Sequence, residues 1–284
     1  MHRKSGFTII EVLIAVAVVA AISGLIIYAT AGSKKKADAS PQPSSSTQAS
    51  TSTNATQTAI QWQWSGDKWQ ASSTPPDCTE PVKFSVAPAD LSKATAVLYP
   101  GQSRGNNYKP HGGLRFDRAS DNNLSVKAIM DGRVVSGARY IEMGETQYMF
   151  TIVNDCGVAY RFDHLLTLSP TFQKIADALP AAKPDDSRTT NFDNPVSVKA
   201  GDEVATAIGF PKIRNVSFDL GVYDYRQRNE AAQNASYVAK HQEFLAQAGH
   251  ALCWFDMFSD ADNAILKSLS AGDSASGKQS DYCM

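Results

Sequence analysis

The sequence predicts a mainly β, antiparallel domain that follows a single N-terminal transmembrane helix and ends in a few C-terminal helices. Three observations predict this fold class. A long apolar run lies near the start of the 284-residue chain, short segments of alternating apolar and polar residues fill the span 97–225, and apolar residues recur at helical spacing between 231 and 269. Alternation is typical of half-buried strands, whereas i, i+3, i+4 spacing is typical of helices.

The first element is the apolar run from Phe7 to Thr30. At about 1.5 Å per residue it exceeds the roughly 30 Å hydrocarbon core of a bilayer, so it predicts a membrane-spanning helix over 7–31. Glu11 is the one charged side chain in the run. A carboxylate in hydrocarbon costs on the order of 2.5–3.5 kcal/mol by insertion scales, so Glu11 requires a partner.

The residues around the start of this run resemble a known processing signal. A short basic leader over 1–6 ends in Gly6, the aromatic Phe7 follows, and Glu11 comes shortly afterwards. This pattern resembles the class III signal of type IV pilins and of type II secretion pseudopilins. The resemblance implies that a prepilin peptidase cleaves after Gly6 and methylates the new N-terminal Phe7. It also implies that Glu11 pairs with the terminal amine of a neighbouring pilin-like subunit.

Two simpler interpretations of the N-terminal run are an ordinary secretory signal and a plain membrane anchor. A secretory signal has a shorter apolar core and a small-x-small cleavage site after it. A glutamate inside the apolar core is disfavoured in such a signal. The pilin-type signal therefore accounts for more of the residues.

The cysteines indicate which side of the membrane the C-terminal part occupies. Basic residues flank the apolar run on both sides, so the positive-inside rule does not decide the topology. Cys78, Cys156, Cys253 and Cys283 all follow the run, and none stands in a CxxC metal spacing. Two disulfides on an oxidising outer face are the simplest interpretation. The protein is then a single-pass protein of the bacterial inner membrane with an extracytoplasmic C-terminal domain, displayed on a pilus or on the cell surface.

The pairing of these cysteines follows less directly than their oxidation. Cys253 and Cys283 are separated by an amphipathic stretch and a Gly/Ser-rich turn. We expect these two to pair, which leaves Cys78 for Cys156. Four cysteines allow three connectivities, so the other two stay open.

The segment 32–60 predicts a disordered Ser/Thr-rich linker, because it has no apolar periodicity that would bury a core. In pilins the first helix continues beyond the membrane, and this chain departs from that pattern. After the linker we expect a β domain over 61–230 and a helical, disulfide-closed extension over 231–284. The formal net charge is −1, and no basic run alternates with aromatic residues, so we expect no nucleic-acid partner.

Several local signals place elements within the β domain. The dipeptide Asp131-Gly132 predicts a tight hairpin turn. The segment from Ser169 to Leu179 predicts a helix inserted among the strands. Tryptophans at 62, 64 and 69 alternate as one strand face, which either packs on the domain or stacks on sugars.

Five segments in order resemble the lysostaphin/LytM-type zinc endopeptidases that cut peptidoglycan cross-bridges. The segments are HGGLR at 111–115, VKAIMDGRVV at 126–135, YRFDHL at 160–165, VKAGDEVA at 198–205 and NVSFD at 215–219. The resemblance implies a lysostaphin-like β-sheet of the duplicated hybrid motif type. Active members bind zinc through the His and Asp of an HxGxD motif and the second His of an HxH motif, whose first His assists catalysis.

The metal-binding positions of that family are mostly substituted in this chain. His111 stands at the first ligand position, but Arg115 replaces the Asp, and Asn215 and Ser217 replace the two histidines of HxH. A guanidinium has no lone pair to donate, and a catalytic zinc needs about three protein ligands. We therefore expect no enzyme activity, no metal and no other cofactor.

The substituted cleft is still a candidate binding site. Its residues are His111, Arg115, Asp117, His164, Asn215, Ser217 and Asp219. Arg115 either docks an acidic group or forms an ion pair with Asp117 or Asp219. The function expected from the sequence is a type IV pilin-like surface protein that displays a catalytically inactive peptidoglycan-endopeptidase-like domain. The expected partners are the membrane, prepilin peptidase, other pilin-like subunits, and peptidoglycan, another wall polymer or a partner protein.

Two other functions remain open at this point. His111, Asp117 and His164 could form a displaced site, which would make the protein an exported zinc-dependent peptidoglycan endopeptidase with zinc as its cofactor. A pseudopilin of a secretion or DNA-uptake machine differs from the first hypothesis mainly in its partners.

Overall fold

The computed structural model describes residues 59–272 and 277–283. The predicted leader, the predicted membrane helix over 7–31 and nearly all of the predicted linker lie outside these residues, as do Gly6, Phe7 and Glu11. The described residues belong to one compact unit, which we call the head. No helix in the described part of the chain is long and apolar enough to cross a bilayer.

Strands dominate the head, and the helices are short. The strands are β1 (Trp62–Trp64), β2 (Trp69–Ala71), β3 (Ala96–Leu98), β4 (Gln102–Arg104), β5 (Asn107–Lys109), β6 (Gly112–Arg115), β7 (Val126–Lys127), β8 (Gly132–Glu142), β9 (Glu145–Val153), β10 (Val158–Leu168), β11 (Thr190–Val198), β12 (Glu203–Ile208), β13 (Ser217–Asp224) and β14 (Ser270–Ala271). The α-helices are α1 (Pro170–Ala176), α2 (Ala235–Lys240), α3 (Leu245–Ala248) and α4 (Asp260–Ser268). Single 3-10 turns cover Leu91–Lys93, Pro211–Ile213, Ala231–Gln233, Gln242–Phe244 and Phe255–Met257.

One large sheet organises the head. Its strands lie in the order β11-β8-β9-β10-β13-β6-β3-β14, and β12 pairs with both β10 and β7. The pairs are antiparallel except for β14, which runs parallel to β3. The prediction of a mainly β, antiparallel domain with a few C-terminal helices is confirmed for the described residues.

The two faces of this sheet have different chemistry. On β10, Tyr160 and Phe162 enter the main hydrophobic core, whereas the alternate residues Arg161 and Asp163 do not. The same alternation occurs on β13, where Asp219 stands directly opposite Asp163 in the register. Successive side chains of a strand point to opposite faces, so the charged residues of β10 and β13 share the second face.

The hairpin predicted at Asp131-Gly132 is wrong. Gly132 begins β8, which pairs with β9 and β11 and not with the strand before it. The Asp131 carboxylate instead accepts a hydrogen bond from the backbone N–H of Ala200 at 2.9 Å. The tight turn lies between β8 and β9, where Met143 and Gly144 have φ values of 50° and 75°. Positive φ at both central positions is the pattern of a type I′ turn.

The C-terminal segment joins the same core as the strands that precede it. The segment predicted to be helical over 231–269 is broken into α2, α3, α4 and 3-10 turns, with irregular residues between them. Trp254, Phe255 and Phe258 are buried in the main core. These aromatic side chains therefore serve packing in the core.

Both predicted disulfides are confirmed. Cys78 bonds Cys156 and Cys253 bonds Cys283, with sequence separations of 78 and 30 residues. In the chain-entropy model, loops of these sizes correspond to about 4 kcal/mol of stabilisation each. The second bond fixes the C-terminal end beside the 3-10 turn that carries Phe255.

Candidate functional site

A cluster of charged side chains lies on the second face of the sheet, where β6, β10 and β13 meet. Its members, which we call the polar cluster, are His111, Arg161, Asp163, His164 and Asp219. His111 and Arg161 are each 8% exposed, and Asp163 and Asp219 are each 9% exposed. Buried charges are retained only where partners or a ligand compensate their desolvation, so each contact in the cluster matters.

His111 is held between a cation and an anion. Its Nε2 lies 2.9 Å from Asp219 Oδ2, and its Nδ1 lies 2.6 Å from Arg161 Nη2. A guanidinium can only donate, so Nδ1 must accept and Nε2 must carry the proton that is donated to Asp219. Burial lowers the pKa of His111 to about 4, although the attraction of Asp219 opposes this shift. The imidazole is therefore neutral and fixed in one tautomer.

A local break in β10 turns His164 onto the same face as Asp163. The register between β10 and β9 shifts between Phe162 and Leu165, and His164 has a φ of 60°. Both side chains consequently reach the cluster, where Asp163 Oδ1 accepts from the His164 backbone N–H at 2.8 Å and from the Tyr140 hydroxyl at 2.7 Å. A left-handed backbone costs a non-glycine residue on the order of 1–2 kcal/mol. Bulges of this kind commonly redirect side chains next to functional sites.

His164 titrates in the opposite direction to His111. Its Nε2 lies 3.6 Å from Asp219 Oδ2, and its Nδ1 lies 3.8 Å from Glu142 Oε2. Burial alone lowers the pKa of His164, but the carboxylates of Asp163, Asp219 and Glu142 outweigh it and raise that pKa. Burial also acts to raise the pKa of Asp219, but the contacts with His111 and His164 hold that pKa well below its usual range.

The other residues of the predicted cleft are engaged elsewhere. Arg115 Nη2 donates to Asp117 Oδ1 at 2.6 Å, so Asp117 is the carboxylate that neutralises Arg115. Asp117 also accepts from the Thr95 hydroxyl at 2.9 Å. The structure thus brings His111, His164 and Asp219 together, but Asp117 makes its polar contacts outside that group. Ser217 Oγ and Asn215 Oδ1 hydrogen-bond each other at 2.5 Å.

The polar cluster as arranged does not fit a zinc ion. A histidine ligand must present a lone pair, yet Nδ1 of His111 faces Arg161 and Nε2 carries a proton towards Asp219. The guanidinium would also repel a cation. Among the residues that the structure describes, no group of three or more His, Cys, Asp or Glu side chains has the geometry of a metal site.

A groove adjoins the polar cluster on the same face, and we call it the aromatic groove. It has a volume of about 640 Å³, and Arg161 and Tyr223 line it. The β1–β2 hairpin lines it as well, as do Phe192, Asp193 and Pro195 of β11. Trp69 stacks on Tyr225 with ring centroids 3.8 Å apart and an interplanar angle of 13°. Arg161 therefore contacts both the cluster and the groove.

A second cavity beside the Cys78–Cys156 bond has a volume of about 660 Å³, but its charged residues are mostly paired. Arg133 is hydrogen-bonded to Asp155, and Lys199 is bonded to Asp131. The aromatic groove is distinguished from this cavity by the buried charge of Arg161 in its lining.

Sequence reasoning missed Arg161 as a functional residue. Arg161 lies within the YRFDHL segment, where only His164 was singled out. The available signal was the spacing of Arg161 and Asp163, because two charged residues at i and i+2 on a strand face the same way. That spacing is common on solvated faces and does not by itself predict burial.

A comparison with protein families finds a match to the prokaryotic N-terminal methylation motif at residues 1–27. The matched segment contains Gly6, Phe7 and Glu11 and lies outside the described residues. The match supports a type IV pilin-like or pseudopilin-like surface protein that is associated with a membrane. It does not extend to the head, so the resemblance to zinc endopeptidases has no support from it. Comparisons with curated proteins and with solved structures find no match.

Proposed function

We propose that this chain is a type IV pilin-like surface protein whose head is a catalytically inactive binding domain for a wall polymer or a partner protein. The observation that carries the proposal is the chain of hydrogen bonds from Arg161 through His111 to Asp219. In this chain the lone pair of His111, through which a metallopeptidase would bind its metal, is occupied by Arg161. A groove remains beside it, which is the default form of a binding site.

The N-terminal motif supports the anchored part of this proposal. In it, prepilin peptidase cleaves after Gly6 and methylates Phe7, and Glu11 pairs with another pilin-like subunit. Residues 7–31 then cross the inner membrane once, with the head on the extracytoplasmic side. The two disulfides support that orientation, because such bonds persist in oxidising compartments. A pseudopilin would share all of these features and differ in the machine it joins.

The binding role can be tested by co-sedimentation with purified peptidoglycan sacculi. We expect the full-length protein, oxidised and held in detergent, to sediment with the sacculi and to release no soluble fragments. A chelator should change neither result, because no metal takes part. Bovine serum albumin in the same detergent controls for trapping. If the protein stays in the supernatant, the wall polymer is not its ligand and a protein partner becomes the remaining form of the proposal.

The exported zinc endopeptidase is the second candidate, and one observation favours it. His111 and His164 approach the same oxygen of Asp219, at 2.9 Å and 3.6 Å. A displaced metal at that point would require Arg161 to move away from His111. Stoichiometric zinc in the purified protein, with chelator-sensitive release of wall fragments that a His164→Asn variant lacks, would decide for this candidate.

A further inference from the structure

Arg161 is a buried cation whose hydrogen-bond partners are both neutral. Its Nη1 donates to Gln247 Oε1 at 3.1 Å, and its Nη2 donates to Nδ1 of the neutral His111 at 2.6 Å. No carboxylate of the described residues lies within the 4.0 Å of an ion pair with its guanidinium. Burial acts to lower the pKa of Arg161, but Tyr223, Asp163 and Asp219 raise it from beyond ion-pair distance. A buried guanidinium forms its strongest hydrogen bonds with an anion in direct contact, and the described residues supply none.

A hydroxyl without a hydrogen-bond partner lies next to Arg161. Tyr223 is 2% exposed, and among the described residues its hydroxyl has no partner. A Cβ built at Gly221 would lie 2.2 Å from that hydroxyl, so the phenol extends over Gly221. Gly221 is the register partner of Arg161 on the neighbouring strand. The indole Nε1 of Trp62, in the groove wall, is likewise buried without a partner in the described chain.

The guanidinium and the phenol need the same thing from a ligand. The guanidinium only donates, and a phenol donates readily. A group that satisfies both must accept hydrogen bonds, and beside an arginine it should be an anion. The groove volume of about 640 Å³ lies within the roughly 300–1,000 Å³ of sites that enclose a small ligand.

The surrounding charges favour a carboxylate over a phosphate. Arg133, the other cation of the groove lining, is hydrogen-bonded to Asp155. Asp163 and Asp219 lie close enough to Arg161 to act on its charge, and Asp193 lies in the groove lining. A doubly charged phosphate would meet these carboxylates with a single guanidinium that lacks an ion-pair partner, whereas one carboxylate matches one guanidinium in charge and geometry.

The walls favour a peptide over a sugar. Sugar recognition uses open aromatic faces, and Tyr225 covers one of the two faces of Trp69 at 3.8 Å. On the opposite wall, the register between β11 and β8 breaks between Asn191 and Val196, so residues 192–195 form no ladder pair with β8. β11 is also an edge strand. Unpaired backbone at a sheet edge is the usual partner of an extended peptide.

We propose that the aromatic groove binds a peptide segment that presents a carboxylate to Arg161, with the Tyr223 hydroxyl as the second donor. The ligand's apolar side chain lies against the aromatic residues of the β1–β2 hairpin. This inference rests on the proposed binding role of the head and names the chemistry that the groove recognises.

The test titrates the full-length oxidised protein in detergent with N-acetyl-Phe-Ala and with its C-terminal amide. Intrinsic tryptophan fluorescence reports binding, because three tryptophans line the groove. We expect the free carboxylate to bind at least tenfold more tightly than the amide. Arg161→Gln should abolish that difference, and Tyr223→Phe should weaken carboxylate binding three- to tenfold. Arg139→Gln is the control, because Arg139 lies outside the groove lining, donates to the backbone carbonyls of Leu179 and Pro180, and should change binding less than twofold when replaced.

A stability measurement separates a ligand-binding arginine from a structural one. Saturating N-acetyl-Phe-Ala should raise the melting temperature of the unchanged protein and leave that of Arg161→Gln unchanged, because a ligand that binds only the folded state stabilises it. A lower melting temperature of Arg161→Gln without peptide, with unchanged preference for the carboxylate, would overturn the inference. Should Arg161→Gln fail to fold, equal affinity of the unchanged protein for acid and amide would overturn it as well.

Two further measurements identify which kind of anion binds and separate this inference from the proposed binding role of the head. Arg161-dependent binding of digalacturonic acid or inorganic phosphate in preference to the peptide would overturn the peptide assignment. Sedimentation with sacculi that is equal for the unchanged protein and Arg161→Gln, with no preference for carboxylate over amide, would sink this inference and leave the binding role standing. Carboxylate binding without sedimentation would support the inference and remove the wall polymer as the head's ligand.

Discussion

At the scale of single residues, the two histidines of the polar cluster share one carboxylate and respond oppositely to acid. His111 is neutral because burial beside Arg161 lowers its pKa to about 4. His164 gains a proton more readily because three carboxylates surround it and raise its pKa. Lowering the pH therefore adds charge at His164 first, while His111 keeps its hydrogen bonds to Arg161 and Asp219.

His111→Asn should reduce the acid sensitivity of the fold. The asparagine Oδ1 takes the place of Nδ1 and can accept from Arg161, and the side chain has no titratable group. Folding lowers the pKa of His111 from 6.5 to about 4. Between these two values the unfolded state is protonated and the folded state is not, so the free energy of unfolding falls as the pH drops below 6.5. From pH 7.5 to pH 5 this histidine accounts for a loss of about 2 kcal/mol. Urea unfolding at both pH values should show a smaller loss for the variant.

His164→Asn is the control of opposite sign. Asparagine tolerates the left-handed backbone at this position, so the change mainly removes the charge. A raised pKa stabilises the fold fully below the unfolded value, and that contribution disappears as the pH rises through the folded value. The variant should therefore be weakest relative to the unchanged protein at acidic pH. Parallel pH curves for all three proteins would contradict both assignments.

At the scale of elements, the β8–β9 turn carries a residue that suits it poorly. Met143 has a φ of 50° and is 59% exposed, so it adopts a left-handed backbone with little packing in return. Met143→Asn should stabilise the head by about 0.5–1 kcal/mol, because Asn-Gly is the preferred type I′ pair. Thermal or urea unfolding of the oxidised protein measures this gain.

Gly144→Ala serves as the comparison for that turn. Gly144 has a φ of 75°, so any side chain there adopts an unfavourable backbone. This variant should lose stability where Met143→Asn gains it. A loss of stability in Met143→Asn would mean that the turn is not of type I′.

The elements that the sequence predicted well are those set by local chemistry. The helix expected between Ser169 and Leu179 is α1, and the Ser169 hydroxyl accepts from the Phe172 N–H at its first turn. Strand alternation likewise identified most of the long strands. The Asp131-Gly132 prediction failed because a dipeptide indicates only the backbone conformations it favours, whereas strand pairing depends on distant residues. Met143-Gly144 forms the hairpin turn although its sequence favours such a turn less strongly.

The candidate site was predictable in part for the same reason. His111, His164 and Asp219 were expected in one cleft and do lie together. The role of Arg161 and the left-handed bulge at His164 depend on how β10 pairs with β9 and β13 in the sheet. A local sequence pattern does not determine which strands pair. Only the structure therefore shows that Arg161 is the partner of His111. It also shows that Arg115 pairs with Asp117.

At the scale of the whole molecule, the match at residues 1–27 predicts processing of the N-terminus. When prepilin peptidase is co-expressed, the mature chain should begin with N-methylated Phe7. Mass spectrometry of the N-terminal peptide measures this. Gly6→Leu is the control, because a bulky residue at the cleavage position should leave the leader attached, and an intact Met1 in the unchanged surface protein would contradict the prediction.

Glu11→Val tests the proposed subunit contact separately from membrane insertion. Removing the carboxylate from an apolar segment removes a cost of about 2.5–3.5 kcal/mol, so insertion should be unaffected or improved. Entry into a filament should fall, because the terminal amine of the neighbouring subunit loses its partner. Carbonate extraction measures insertion, and recovery of the protein in sheared surface filaments measures assembly. Normal assembly of the variant would refute the contact.

The bond between Cys78 and Cys156 also determines how the head transmits mechanical force. A pull at residue 59 follows the backbone to Cys78 and crosses to Cys156, just before β10 begins at Val158. If a ligand is held at Arg161 on that strand, residues 79–155 lie outside the stretched path. The β1–β2 hairpin is strained first, while the ladder between β8 and β9 bears no direct tension. Residue 59 is therefore joined to the ligand-binding strand β10 through covalent bonds. A pull that opens the β1–β2 hairpin leaves the β8–β9 pairing of the large sheet intact.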